Sequence, residues 1–202
     1  VGSLPAASPS PSQALALTNL TSVPTGVSSY AAPTSTNRIG GGWNGPYLQT
    51  PMGAANPSTD AWGNLLDYSA TVTGGVVTAL TITSKGSDGV LGSGSGYAQD
   101  LSVTISATDW RGTVYGYINT DGVPYTGTGV ATLYAPNGSG TISGTAVSLS
   151  SGSFTFSNVP FGKRSVVITY PSPGPTATLG PIVFTLDKPN LEVPDSVLDT
   201  NP

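Results

Sequence analysis

The chain has 202 residues, including 27 Gly and 18 Pro but no Cys and no His, and its 6 basic and 10 acidic residues give a formal net charge of −4. Charged residues make up 8%, far below the roughly 25% of an average soluble domain, while a hydrophobic content of 37% argues against disorder. The missing residue types exclude Ser-His-Asp and Cys-His catalysis, ordinary zinc, haem and iron–sulfur ligation, and disulfides; the acidic balance argues against a nucleic-acid partner.

No apolar run approaches the roughly 18 residues of a membrane span, and the start, Val1-Gly2-Ser3, reads as a processed or trimmed chain. Residues 1–11 form a Ser/Pro-rich leader. Ser12 is placed to cap a short helix, Gln13–Leu20, with Leu17 and Leu20 on one face; Pro24 and Gly26 stop it. Residues 25–60 carry little periodicity and read as loop, punctuated by aromatic clusters at Trp43/Tyr47 and Trp62/Tyr68. Strands are expected over Leu65–Val72 and Val76–Thr83, joined at Gly74-Gly75, and then at Leu101, Val103 and Ile105, which alternate with Ser102 and Thr104. A Gly/Ser loop around Asp88 lies between them.

The character changes near 107–110. Strands are predicted at Val114–Ile118, Val130–Tyr134, Thr145–Leu149, Ser153–Phe156, Ser165–Tyr170 and Pro181–Leu186, separated by Gly, Pro and Asn turns, the pattern of an antiparallel β-sandwich. The polar end from Lys188 is expected to lie on the surface.

Several ordered motifs in the first half carry a resemblance: Gly42-Trp43-Asn44-Gly45-Pro46-Tyr47-Leu48, Asp60-Ala61-Trp62-Gly63-Asn64, Tyr68, Ser84-Lys85-Gly86-Ser87-Asp88-Gly89 and Asp100-Leu101. In this order they resemble the globular domain of the type II secretion major pseudopilin, of the type IV pilus superfamily, over about residues 12–103. The family's long hydrophobic N-terminal helix is absent from this sequence; either it has been removed or a separate short helical pilin chain supplies it, as in split pilins, and the split pilin is the favoured expectation. In the second half, Gly112-Thr113-Val114-Tyr115-Gly116 and Phe154-Thr155-Phe156-Ser157-Asn158-Val159-Pro160 resemble the carboxypeptidase regulatory-like β-sandwich. The expected fold is therefore an α+β pseudopilin-like head, with a short helix and a small antiparallel sheet, over 12–107; an all-β sandwich over 108–188; and a tail over 189–202.

The family's calcium loop carries over onto Ser84, Asp88 and Asp100, with Ala98 where the family has a further Asp. The alternative is a Gly-rich hairpin with Asp88-Gly89 as turn residues. Trp43, Tyr47, Trp62 and Tyr68 are expected to anchor loops by burial rather than to form a ligand platform. Asp60 fits a turn or cap ahead of Trp62-Gly63 better than an acid/base role, and Lys163-Arg164 reads as a solvated doublet in a turn. Asn19-Leu20-Thr21 and Asn137-Gly138-Ser139 match the N-glycosylation pattern.

No catalytic set is found, so a non-enzymatic protein is expected. The reading is a structural subunit of an extracellular, cell-surface, bacterial filament, its partners a short helical pilin and copies of itself, with no nucleic acid and no membrane span of its own. The alternatives are a minor tip pilin or adhesin binding a surface ligand through the sandwich, and an enzyme accessory domain.

Overall fold

The computed structural model describes residues 22–47, 58–73, 76–92, 94–120, 122–171, 177–194 and 197–198. The expected helix at 13–20, the Gly74-Gly75 turn and the Asn19 pattern lie outside them. The described residues are mostly β and loop, and their helical turns are three short 3₁₀ segments. Chain contacts divide the molecule into two units.

The smaller unit includes Trp43–Asp109. Its strands β1 (Asp67–Thr73), β2 (Val76–Ser84) and β3 (Leu101–Ser106) form one antiparallel sheet in sequence order. The register separates the residue types by face. Tyr68 lies opposite Ile82 and Ala70 opposite Leu80, while Ile82 and Leu80 face Val103 and Ile105. Because side chains alternate along a strand, these residues share one face with Leu101. The reverse face carries Ser69, Thr71, Thr81, Thr83, Ser102 and Thr104. Two cross-strand hydroxyl pairs tie it together, Thr81–Thr104 at 2.9 Å and Thr83–Ser102 at 2.8 Å.

The larger unit includes Ser28–Gly42 and the chain from Trp110. Its strands are β4 (Arg111–Tyr117), β5 (Asn119–Thr120), β6 (Val123–Pro124), β7 (Val130–Pro136), β8 (Ile142–Ser148), β9 (Ser153–Pro160), β10 (Gly162–Tyr170), β11 (Ala177–Leu186), β12 (Asn190–Glu192) and β13 (Val197–Leu198). A four-stranded sheet, β11-β10-β7-β8, and a three-stranded sheet, β12-β4-β9, share one core; β13-β5-β6 forms a small third sheet. That core joins Val114, Phe154, Phe156 and Val159 to Ala131, Leu133, Val166, Ile168, Phe184 and Leu186. Phe154, Phe156 and Val159 all face inward despite their uneven spacing. The β4–β9 register shifts between Gly112 and Val114, where Asn158 takes φ +60°, so one extra residue is absorbed as a bulge. Gly116 is required by close approach: a Cβ there would lie 2.4 Å from the Phe154 ring.

Two features depart from the sequence reading. Ser28–Gly42, assigned from sequence to the first domain, packs in the larger unit. There Ile39 is 1% exposed and the Asn37 carbonyl accepts a hydrogen bond from the Ser165 hydroxyl. The segment Asn190–Val193 is built in rather than laid on the surface: β12 pairs in parallel with β4, and Val193 enters the core while its N–H donates to the Tyr115 carbonyl at 2.8 Å. Three residues are too few for a strand pattern to register in sequence.

Candidate functional site

In the smaller unit, the loop before β1 is organised by Asp60. Its Oδ1 accepts the N–H groups of Trp62 at 3.0 Å and Asn64 at 2.9 Å, and its Oδ2 accepts the Ser84 hydroxyl at 2.8 Å. Loss of water around it pushes the Asp60 carboxyl up, but hydrogen bonds from Ser84, Asn64, Trp62 and Gly63 outweigh this and hold it below its ordinary 3.8. Asn64 Nδ2 donates to the Gly86 carbonyl at 2.7 Å, fastening the same loop to the turn after β2. Sequence reasoning found the turn at Asp60 but missed Asn64. Its signal is an amide following a turn residue, which does not say where the side chain reaches.

The expected calcium ligands are distributed as follows. Ser84 is committed as a donor to Asp60. Asp88 is exposed, and its Oδ1 accepts the Val90 N–H at 3.1 Å. Asp100 Oδ2 accepts the Gly92 N–H at 2.7 Å, while its Oδ1 is buried without a hydrogen-bond partner. The turns that carry them meet, since a Cβ on Gly86 would lie 2.7 Å from the Ala98 backbone. Only Asp100 thus offers an oxygen in need of a partner, and no group of three or more Asp, Glu, His or Cys is present among the described residues. Calcium takes six to eight oxygens. The side chains present do not by themselves fit that requirement.

The four aromatics do not form one cluster. Trp43 and Tyr47 meet edge to face at 5.8 Å, and the Tyr47 hydroxyl accepts the Asn44 N–H at 2.9 Å. Tyr47 and Trp62 remain 42% and 44% exposed, contrary to the burial expected of them. Trp62 sits in the Asp60 turn, whose backbone bonds suffice to hold the loop. Tyr68 is half-buried on the apolar face of the sheet, and burial raises its phenol above the ordinary 10.0.

That apolar face is the most distinctive surface of the unit. Leu101 and Val103 are 62% and 65% exposed although Leu80, Ile82 and Ile105 continue the same face. The alternation of Leu101, Val103 and Ile105 was legible in sequence as a half-buried strand; the exposure was not, because periodicity identifies an apolar face without saying what covers it.

In the larger unit, Lys163 is exposed but Arg164 is 1% exposed, which corrects the reading of a solvated doublet. Arg164 lies two residues before Val166 on a strand and shares its core-facing side. Its guanidinium donates to the carbonyls of Pro160 at 2.6 Å, Phe161 at 2.9 Å and Lys163 at 2.7 Å, while its Nε has no partner. Burial lowers its pKa to about 10. The group clasps the β9–β10 corner. The Asn137 turn is exposed at the β7–β8 tip, where Asn137 Oδ1 accepts from Ser139 N, Ser139 Oγ and Thr141 N. Among the described residues no helix is long and apolar enough to cross a membrane.

Comparison of the chain with protein-family models, with curated proteins and with solved structures finds no match.

Proposed function

We propose that this chain is the globular structural subunit of an extracellular filament of the type IV pilus or pseudopilus kind, seated on an apolar helix supplied by a separate short pilin chain. One observation carries the reading: the three-stranded sheet presents a continuous face of Tyr68, Ala70, Leu80, Ile82, Leu101, Val103 and Ile105, with Leu101 and Val103 62% and 65% exposed. Three strands at about 4.8 Å spacing match the roughly 10 Å width of one helix. Covering a Leu or Val side chain fully is worth about 1.5–3 kcal/mol; the nearest carboxylate, Asp60, lies at the Ser84 end of the face, where the Ser84 hydroxyl already donates to it. The motif order from Trp43 to Asp100 supports the same reading.

The test uses filaments purified from the natural source. The chain is expected along their whole length, one copy per helical pilin, and Leu101→Lys/Val103→Lys is expected to be excluded from them while folding normally. Filaments without the chain, or incorporation of the variant at the level of the parent, would falsify the proposal; a single copy at the tip would favour an adhesin.

A further inference from the structure

β3 is the outer strand of its sheet, and among the described residues only β2 pairs with it. The direction of its backbone can be fixed. The Ser106 N–H donates to Asp109 Oδ2 at 2.7 Å, so it is not spent on β2. The Thr81–Thr104 and Thr83–Ser102 hydroxyls meet at 2.9 and 2.8 Å, as suits rungs without mutual backbone bonds, where side chains stand closer. Strand alternation then turns the N–H and C=O groups of Ser102 and Thr104 outward as well, and those of Leu101, Val103 and Ile105 toward β2.

Natural edge strands are guarded by charge, proline or a bulge. Leu101–Ser106 contains no charged residue and no proline, and its register with β2 runs unbroken from Ser84↔Leu101 to Ala79↔Ser106. The edge also has apolar area to cover, on Leu101 and Val103. β8 is likewise an uncharged edge, but its exposed run is Ser143, Gly144, Thr145 and Ala146, with little apolar surface to gain.

The geometry points to β3 pairing antiparallel with β3 of a second copy of this chain, Val103 opposite Val103. The register follows from the outward groups. With the Ser106 N–H taken by Asp109, Ser102 and Thr104 are left to exchange backbone bonds, and in a two-fold pair they do so when Ser102 of one copy faces Thr104 of the other. Leu101 then lies opposite Ile105, and the apolar face runs on across six strands. Centring on Thr104 instead would need the occupied Ser106 N–H. Within Leu101–Ser106 no like charges are opposed; the nearest carboxylates, Asp100 and the Asp109 that accepts the Ser106 N–H, flank the paired segment at its ends. Helix docking uses the face and the pairing uses the backbone edge, so a variant that blocks the edge and leaves Leu101 and Val103 in place separates the two.

The chain has no Cys, so Val103→Cys introduces its sole thiol at an exposed position. Directly opposed residues in such a rung have Cβ atoms about 4.5–5.5 Å apart, close enough for a disulfide after a small shift. On mild oxidation of the full chain, V103C is expected to give covalent dimer about tenfold faster than Ser102→Cys, which faces Thr104 on the other side of the sheet, or Thr145→Cys in β8. Adding Thr104→Pro, which removes an outward N–H that β2 does not use, is expected to abolish the cross-link with the thermal transition retained. Equal rates at 102, 103 and 145, a fastest rate at 145, or cross-linking indifferent to T104P would each overturn the proposal.

Discussion

The two main sheets are made from the same alternating material and end in opposite conditions. In the larger unit the four-stranded sheet is closed on its inner face by β12-β4-β9, and at β10 it is closed on the outer face as well, where Ser165 meets Asn37. Val166 and Ile168 are accordingly 0% exposed. In the smaller unit the equivalent apolar side chains of β3 are left to solvent. Amphipathic alternation is thus only half of a burial statement. The other half is whether a second layer exists, and what supplies it in the larger unit is partly a segment, Ser28–Gly42, that is remote in sequence.

The sharpest way to break this contrast is to cut into each sheet in turn. Phe154→Ala, in the closed core, is expected to cost about 3–5 kcal/mol, read as a fall in the denaturation midpoint; a loss under about 1 kcal/mol would mean that the core is loosely packed. Arg164→Ala should cost about 3 kcal/mol, because three carbonyls at the β9–β10 corner lose their donor. Arg164→Lys should recover part of this, since an ammonium donates but cannot span the three acceptors.

In the smaller unit the effects are expected to be smaller and conditional. The folded pKa of Asp60 is depressed, so its contribution is fully present above about pH 4 and is lost as pH falls through the folded value. Asp60→Asn should flatten the acid limb of this unit's unfolding, followed through the fluorescence of Trp62 in a Trp43→Phe/Trp110→Phe background; an unchanged acid limb would remove Asp60 from the account. Leu101→Ser with Val103→Ser should change the stability of the isolated chain by no more than about 0.5 kcal/mol, as expected at exposed positions. A large loss would mean that the face is already covered. Smallest of all, calcium added to chelator-treated protein should raise the melting temperature by less than about 1 °C, given how few side-chain oxygens converge. A larger rise that disappears in Asp100→Asn would place a cation at the partnerless Oδ1.

Much of the architecture was legible because it depends on neighbours in sequence. Alternation located β1, β2, β3, β7, β10 and β11 to within a few residues, and the Asp60 turn followed from an aspartate just ahead of Trp62-Gly63. Other features carried a signal that was open to a different reading. The unbroken run Ser165-Val166-Val167-Ile168 is what a strand covered on both faces contains, yet Arg164 beside it suggested solvent. Its burial depends on the carbonyls of Pro160, Phe161 and Lys163 converging at one corner, and that is a property of the turn.

The sequence by itself determined the chemistry that is excluded, the dominance of strands and the sorting of apolar from hydroxyl-bearing side chains along them, because each is fixed by residue type or by a period of two. Only the tertiary structure decided that Ser28–Gly42 joins the larger unit, that Val193 enters its core, and that Leu101 and Val103 stand uncovered. Each of these is a relation between distant segments, set by which surfaces find a partner, and no local pattern records it.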